Sequence, residues 1–156
     1  MKDRSRNTWL SKALELLRED FSSIGVPIPD NVHVNSGWPD TDFLLDRLGE
    51  SHLPPHPDDG YSIFIISEDT TVVLETLVHE LVHIDAGIGA GHGDRFRVVA
   101  EAIGLEGKMT VTHAGESLLS RLRDIEQELG AYPQNLGWFS KLASRLASDF
   151  FQNFRI

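Results

Sequence analysis

Cysteine is absent from this chain, which removes disulfides, thiolate nucleophiles and every cysteine-based metal site at once. Basic residues are also scarce: 14 Lys and Arg stand against 24 Asp and Glu, for a formal charge of −10. A surface of that sign does not wrap nucleic acid by counterion release. It leaves room only for local basic strips. Lys2, Arg4 and Arg6 near the N-terminus read as a solvated tail, and Arg95 and Arg97 form a second pair farther on. No apolar run approaches the ~20 residues of a membrane-spanning helix. The first residues are polar and contain no apolar segment of the signal-peptide kind. The expectation is a cytoplasmic protein without a membrane span, and 156 residues fit one compact domain.

Against these absences stands His79-Glu80-Leu81-Val82-His83, an HExxH pentapeptide. Val73, Leu74, Leu77, Val78, Leu81, Val82 and Ile84 recur at helical spacing around it, so residues 71–86 read as a core helix. Thr70 or Thr71 is the expected cap and Gly87 the expected stop. Histidines at i and i+4 of a helix share one face, one turn apart, and can reach a single Zn²⁺ ion. The intervening glutamate is placed to act as general base toward water activated by that ion. On an apolar helix, two histidines and a glutamate are expensive to bury without such a purpose.

A catalytic zinc site takes three protein ligands and an open position. The pattern HExxHxxGxxH fails, because Ala86 and Gly89 stand where Gly and His are required. His92 is the best candidate third ligand. The glycines at 87, 89, 91 and 93 around it form a loop with little steric restriction, able to turn back toward the helix. Glu101, on the next predicted helix, is the rival and would make a His-His-Glu site.

The remaining pattern is mixed. Residues 8–24 carry an amphipathic stripe (Trp9, Leu10, Ala13, Leu14, Leu17, Phe21, Ile24) closed by Gly25 and Pro27. Residues 32–35 and 46–53 read as short strands and residues 61–67 as the clearest strand, with a Pro/Asp-rich loop between 53 and 60. Residues 95–103 and 116–129 read as further helices. The fold class is therefore α+β, a small sheet packed on the HExxH helix with additional helices. Leu136, Phe139, Leu142, Leu146 and Phe150 mark a C-terminal amphipathic helix. It either packs on the domain or offers a contact to a partner or to a second copy.

Thr76–His83, then Gly91-His92-Gly93-Asp94-Arg95-Phe96, then Ala102-Ile103-Gly104-Leu105 resemble the SprT-like metallopeptidases. That family pairs HExxH with a downstream His-Gly-x-x-Phe and a following helix. The stretches 105–116, 32–39 and 63–67 are similar to a branch common in bacteriophages and prophages. The likeness covers about residues 8 to 133. It implies a zincin-like metallopeptidase domain over 1–133, and the helical tail at 134–156, read from its own apolar stripe, lies beyond the likeness. It also implies Zn²⁺ ligands at His79, His83 and His92, Glu80 as general base, and an edge strand that holds a protein or peptide substrate by strand addition. The setting it implies is a bacterial or phage-infected cell. Many members add a cysteine zinc ribbon, which a chain without cysteine does not contain, so nucleic-acid binding through that module is excluded. His113, Arg95 and Tyr61 are the candidates for substrate or oxyanion contacts, while His33, His52 and His56 lie outside the motif. Another hydrolase of the three-histidine zinc ribonuclease kind is disfavoured, because such histidines are spaced more tightly than His83 and His92, and two readings compete with peptide hydrolysis by a zinc-activated water. One is a non-catalytic zinc protein that binds a host or phage partner. The other is a protease acting on DNA-bound proteins, which the acidic charge disfavours.

Overall fold

The computed structural model describes residues 4–37, 48–52 and 58–134. Ten elements follow in order: α1 (Arg4–Ser23), β1 (Val32–Ser36), β2 (Gly49–His52), β3 (Tyr61–Ile65), α2 (Thr70–Ala86), a 3₁₀ turn (Ile88–Ala90), α3 (Asp94–Ile103), β4 (Leu105–Lys108), β5 (Val111–Ala114) and α4 (Glu116–Leu129). The architecture is α+β, as expected. A three-stranded sheet has the order β1-β3-β2, with β1 parallel and β2 antiparallel to β3, and β4-β5 form a separate hairpin.

α2 is the central element. Val73, Leu74, Leu77, Val78, Leu81, Val82 and Ile84 are all buried, so the helix is apolar nearly all round and touches both sheets and the other helices. The three-stranded sheet covers one side of it. Register places Val34, Ile63 and Ser51 in one cross-strand row and Ser36, Ile65 and Gly49 in the next. The β1 and β3 members of the first row are aliphatic and buried, whereas β2 contributes only Gly49 and Ser51. Small residues are needed there because α2 comes very close: a Cβ at Gly49 would lie 2.5 Å from Thr76 Cγ2. Among the described residues, β2 is an edge strand.

Three expectations change. The cap of α2 is neither threonine but Asp69, whose side chain accepts the Val72 N–H at 3.0 Å. Thr70 instead accepts the Tyr132 N–H at 2.9 Å, which ties the end of α4's trailing segment to the start of α2. Arg6 is not a solvated tail residue: it is buried inside α1, pairs with Glu68, donates to Pro133 O at 2.8 Å and lies over the Tyr132 ring at 5.1 Å. Helix α1 therefore begins at Arg4, earlier than its apolar stripe indicates, because polar partners and not aliphatic packing hold its first turn. The β4-β5 hairpin had no counterpart in the helix-and-strand reading. Lys2, His56 and the predicted C-terminal helix lie outside the described residues. No helix among the described residues is long and apolar enough to cross a membrane.

Candidate metal centre

His79 and His83 project from the same face of α2, and their ring centroids are 5.0 Å apart. The chain then leaves the helix at Gly87 (φ 92°), makes the 3₁₀ turn and reverses at Gly91 (φ 60°, ψ −141°). Both positive φ values lie where L side chains are strained, so these two glycines are what lets the loop return. The return delivers His92 to the helix face. Its Nε2 lies 3.2 Å from His79 Nε2 and 3.1 Å from His83 Nε2. An ion pair between Arg95 and Asp85 at 2.6 Å clamps the two ends of the loop.

Beneath the three imidazoles lies Phe96, fully buried, with its ring centroid 4.9 Å from His79, 4.5 Å from His83 and 4.8 Å from His92. This aromatic floor desolvates the rings on their protein side. Burial, and then the proximity of His83 and His92, lowers the His79 pKa to about 4. Burial and then His92 lower His83 to about 4 as well, and burial lowers His92. At neutral pH the cluster is therefore a set of uncharged imidazoles, the form that ligates metals.

The donor geometry fits a tetrahedral ion. With metal–nitrogen bonds of about 2.0–2.1 Å, tetrahedral ligand atoms are about 3.3 Å apart, close to the two Nε2–Nε2 separations at His92. His79, His83 and His92 are the group of His, Cys, Asp and Glu side chains among the described residues that is able to hold a metal ion. Glu101 is not in that group. It is exposed on α3, which leaves His92 as the third candidate ligand.

The imidazoles line a cleft of about 600 Å³. One wall is β2 with Leu48, Gly49, Glu50 and Ser51, and the opposite wall is the hairpin with Thr110, Val111 and Thr112. Glu80 also lines the cleft, although it is only 6% exposed. Its carboxylate is held by the Ser51 hydroxyl, which lies 3.3 Å from the Glu80 carbonyl oxygen as well. Across the cleft, His79 Nδ1 lies 2.7 Å from Thr112 Oγ1.

The other sequence candidates do not line the cleft. Arg95 is engaged with Asp85. His113 follows Thr112 on β5, and strand alternation sends it to the opposite face, exposed beside Glu106 at 4.0 Å. Tyr61 pairs with Val32 at the far end of β3 and packs on the core. Asp94 opens α3 as an acidic first-turn residue, where it complements the helix dipole. Sequence reasoning missed Gly49, Ser51 and Thr112. Comparison with protein-family models, with curated proteins and with solved structures finds no match for this chain.

Proposed function

We propose that this protein is a zinc-dependent metallopeptidase, with a zincin-like domain of the SprT-like kind and with His79, His83 and His92 as its zinc ligands. The observation that carries the reading is the convergence of three uncharged imidazoles in a cleft that a buried glutamate also lines. A purely structural zinc site gains nothing from Glu80, because a fourth protein ligand would close it. Zinc supplies Lewis acidity that activates water and polarises a substrate carbonyl.

The chain's own residues account for the rest. Glu80 takes a proton from the attacking water and delivers it to the departing amine. Ser51 holds the carboxylate from the sheet side, so the glutamate meets water in one orientation. Leu48 and the β2 residues Gly49, Glu50 and Ser51 line the cleft, and β2 is an edge strand among the described residues, a place suited to pairing with an extended polypeptide. An unfolded protein segment is therefore the substrate class that fits.

The test is zinc content and hydrolysis of an unfolded protein by wild type and by Glu80→Gln. The expected result is one zinc per chain in both, with hydrolysis reduced about 10²–10⁴-fold in the variant. Equal cleavage by the two proteins would remove Glu80 from the mechanism. A wild-type protein that takes up no zinc would end the enzyme reading.

A further inference from the structure

We infer that Thr112 is a positioning residue for the metal centre: its hydroxyl accepts the Nδ1–H of His79 and so presents the Nε2 lone pair of that ring to the ion. The inference rests on the reading of His79 as a metal ligand. A neutral imidazole carries its single proton on either ring nitrogen, and only one tautomer leaves Nε2 free. Thr112 Oγ1 sits 2.7 Å from Nδ1, on the side of the ring away from His83 and His92. A hydroxyl can accept from or donate to a ring nitrogen, but once Nε2 is committed to the ion the proton of the neutral ring sits on Nδ1, and Thr112 Oγ1 is then its acceptor inside a partly buried site. Ligating histidines generally have their second nitrogen held in this manner, and loss of the partner costs about 10–100-fold in metal affinity.

The hydroxyl is well placed to do this because its strand cannot drift. β5 is tied to α2 one turn before His79 by the Ala114 N–H donating to Glu75 Oε1 at 2.8 Å. It is tied to the end of α3 by the Gly115 N–H donating to Gly104 O at 2.8 Å. Threonine is β-branched, so its χ1 is restricted and the hydroxyl direction is set by the strand. The hairpin thus acts as a bracket that orients one ligand from outside the HExxH helix.

The experiment is a competition titration of zinc alone against a chromophoric chelator, on the full chain stripped of metal. Wild type is set beside Thr112→Val, Thr112→Ser and His79→Ala, with a thermal midpoint for each metal-free protein. Valine keeps the shape and removes the hydroxyl, whereas serine keeps the hydroxyl. The expected result is zinc affinity about 10–100-fold weaker in Thr112→Val and near wild type in Thr112→Ser, with the metal-free midpoint lowered slightly in the valine variant by loss of the His79 hydrogen bond and kept in the serine variant. Wild-type affinity in Thr112→Val overturns the proposal while leaving the metal site intact. Equal weakening in the valine and serine variants overturns it too, since the methyl and not the hydroxyl would then matter. Unchanged zinc binding in His79→Ala overturns both the proposal and the site on which it rests.

Discussion

Gly49→Ala is the perturbation whose outcome the structure determines most directly. Two effects oppose each other. Gly49 does not have a left-handed backbone, so alanine is conformationally allowed, and removing a glycine stiffens the unfolded chain. That change alone stabilises a protein by about 0.4–1 kcal/mol. Against it, the new methyl would lie 2.5 Å from Thr76 Cγ2, 3.2 Å from Glu80 Cγ and 3.3 Å from Glu80 Oε1. Thr76 is buried and β-branched on a helix, where threonine has only two favoured χ1 rotamers, so its methyl has little room to move aside. Overpacking of that kind costs about 1–3 kcal/mol. A contact as short as 2.5 Å to an atom with little room to move puts the steric cost toward the upper part of its range, and the net loss is about 1–2.5 kcal/mol.

At this chain length a loss of 1 kcal/mol lowers Tm by about 2–4 °C, so the drop is readable by calorimetry. The relief that occurs is outward movement of β2, which carries Ser51 away from Glu80. Under the proposed function, hydrolysis should therefore fall along with stability while zinc content stays unchanged. A double-mutant cycle isolates the cause, because Thr76→Ser deletes the methyl that is struck first. In the Thr76→Ser background Gly49→Ala should cost clearly less. An identical cost in both backgrounds, or no loss of stability in the single variant, would refute the argument that β2 is small because α2 is close.

Two further outcomes follow from the floor and from the protonation of the cluster. Phe96→Ala empties a fully buried site under the three imidazoles and should cost about 3–5 kcal/mol with weakened zinc binding; urea unfolding and chelator competition together read this, and a loss below 1 kcal/mol would contradict the burial. His79 and His83 have folded pKa values near 4, below the 6.5 of the free side chain, so the unfolded metal-free chain binds protons first as pH falls. The stability of the metal-free protein should accordingly be full above about 6.5 and decline as pH falls toward 4, and a His79→Gln/His83→Gln variant should show a flatter decline in urea midpoint. Parallel profiles for the two proteins would rule out the histidines as its source.

How much of this site could be read from sequence follows from the distance along the chain over which each contact acts. His79, Glu80 and His83 share one helix, and a helix has a fixed period, so their common face is a consequence of spacing alone. His92 required one further inference, that a glycine-rich loop turns back, and the positive φ at Gly87 and Gly91 is the physical form of that signal. Its rival Glu101 was separable only in three dimensions. The supporting residues carry no periodic signal. Ser51 meets Glu80 across 29 positions and Thr112 meets His79 across 33, and each sits on a strand of four residues. The β4-β5 hairpin is mostly exposed and turns through Met109 and Thr110, without the Asn-Gly or Asp-Gly pair that usually marks a tight hairpin.

The same reasoning explains why His113 does not line the cleft. His113 draws attention in the sequence as the more reactive side chain, whereas its neighbour Thr112 does not. On a strand, however, adjacent residues face opposite ways, and one position decides which of them reaches the histidine cluster. The residues that perform the proposed chemistry are thus encoded locally on one helix. Those that orient them are encoded in the register of two short strands, which only the packed fold determines. Substitutions should sort accordingly: changes to the helix motif should remove metal or hydrolysis outright, whereas changes at Gly49, Ser51 and Thr112 should grade them.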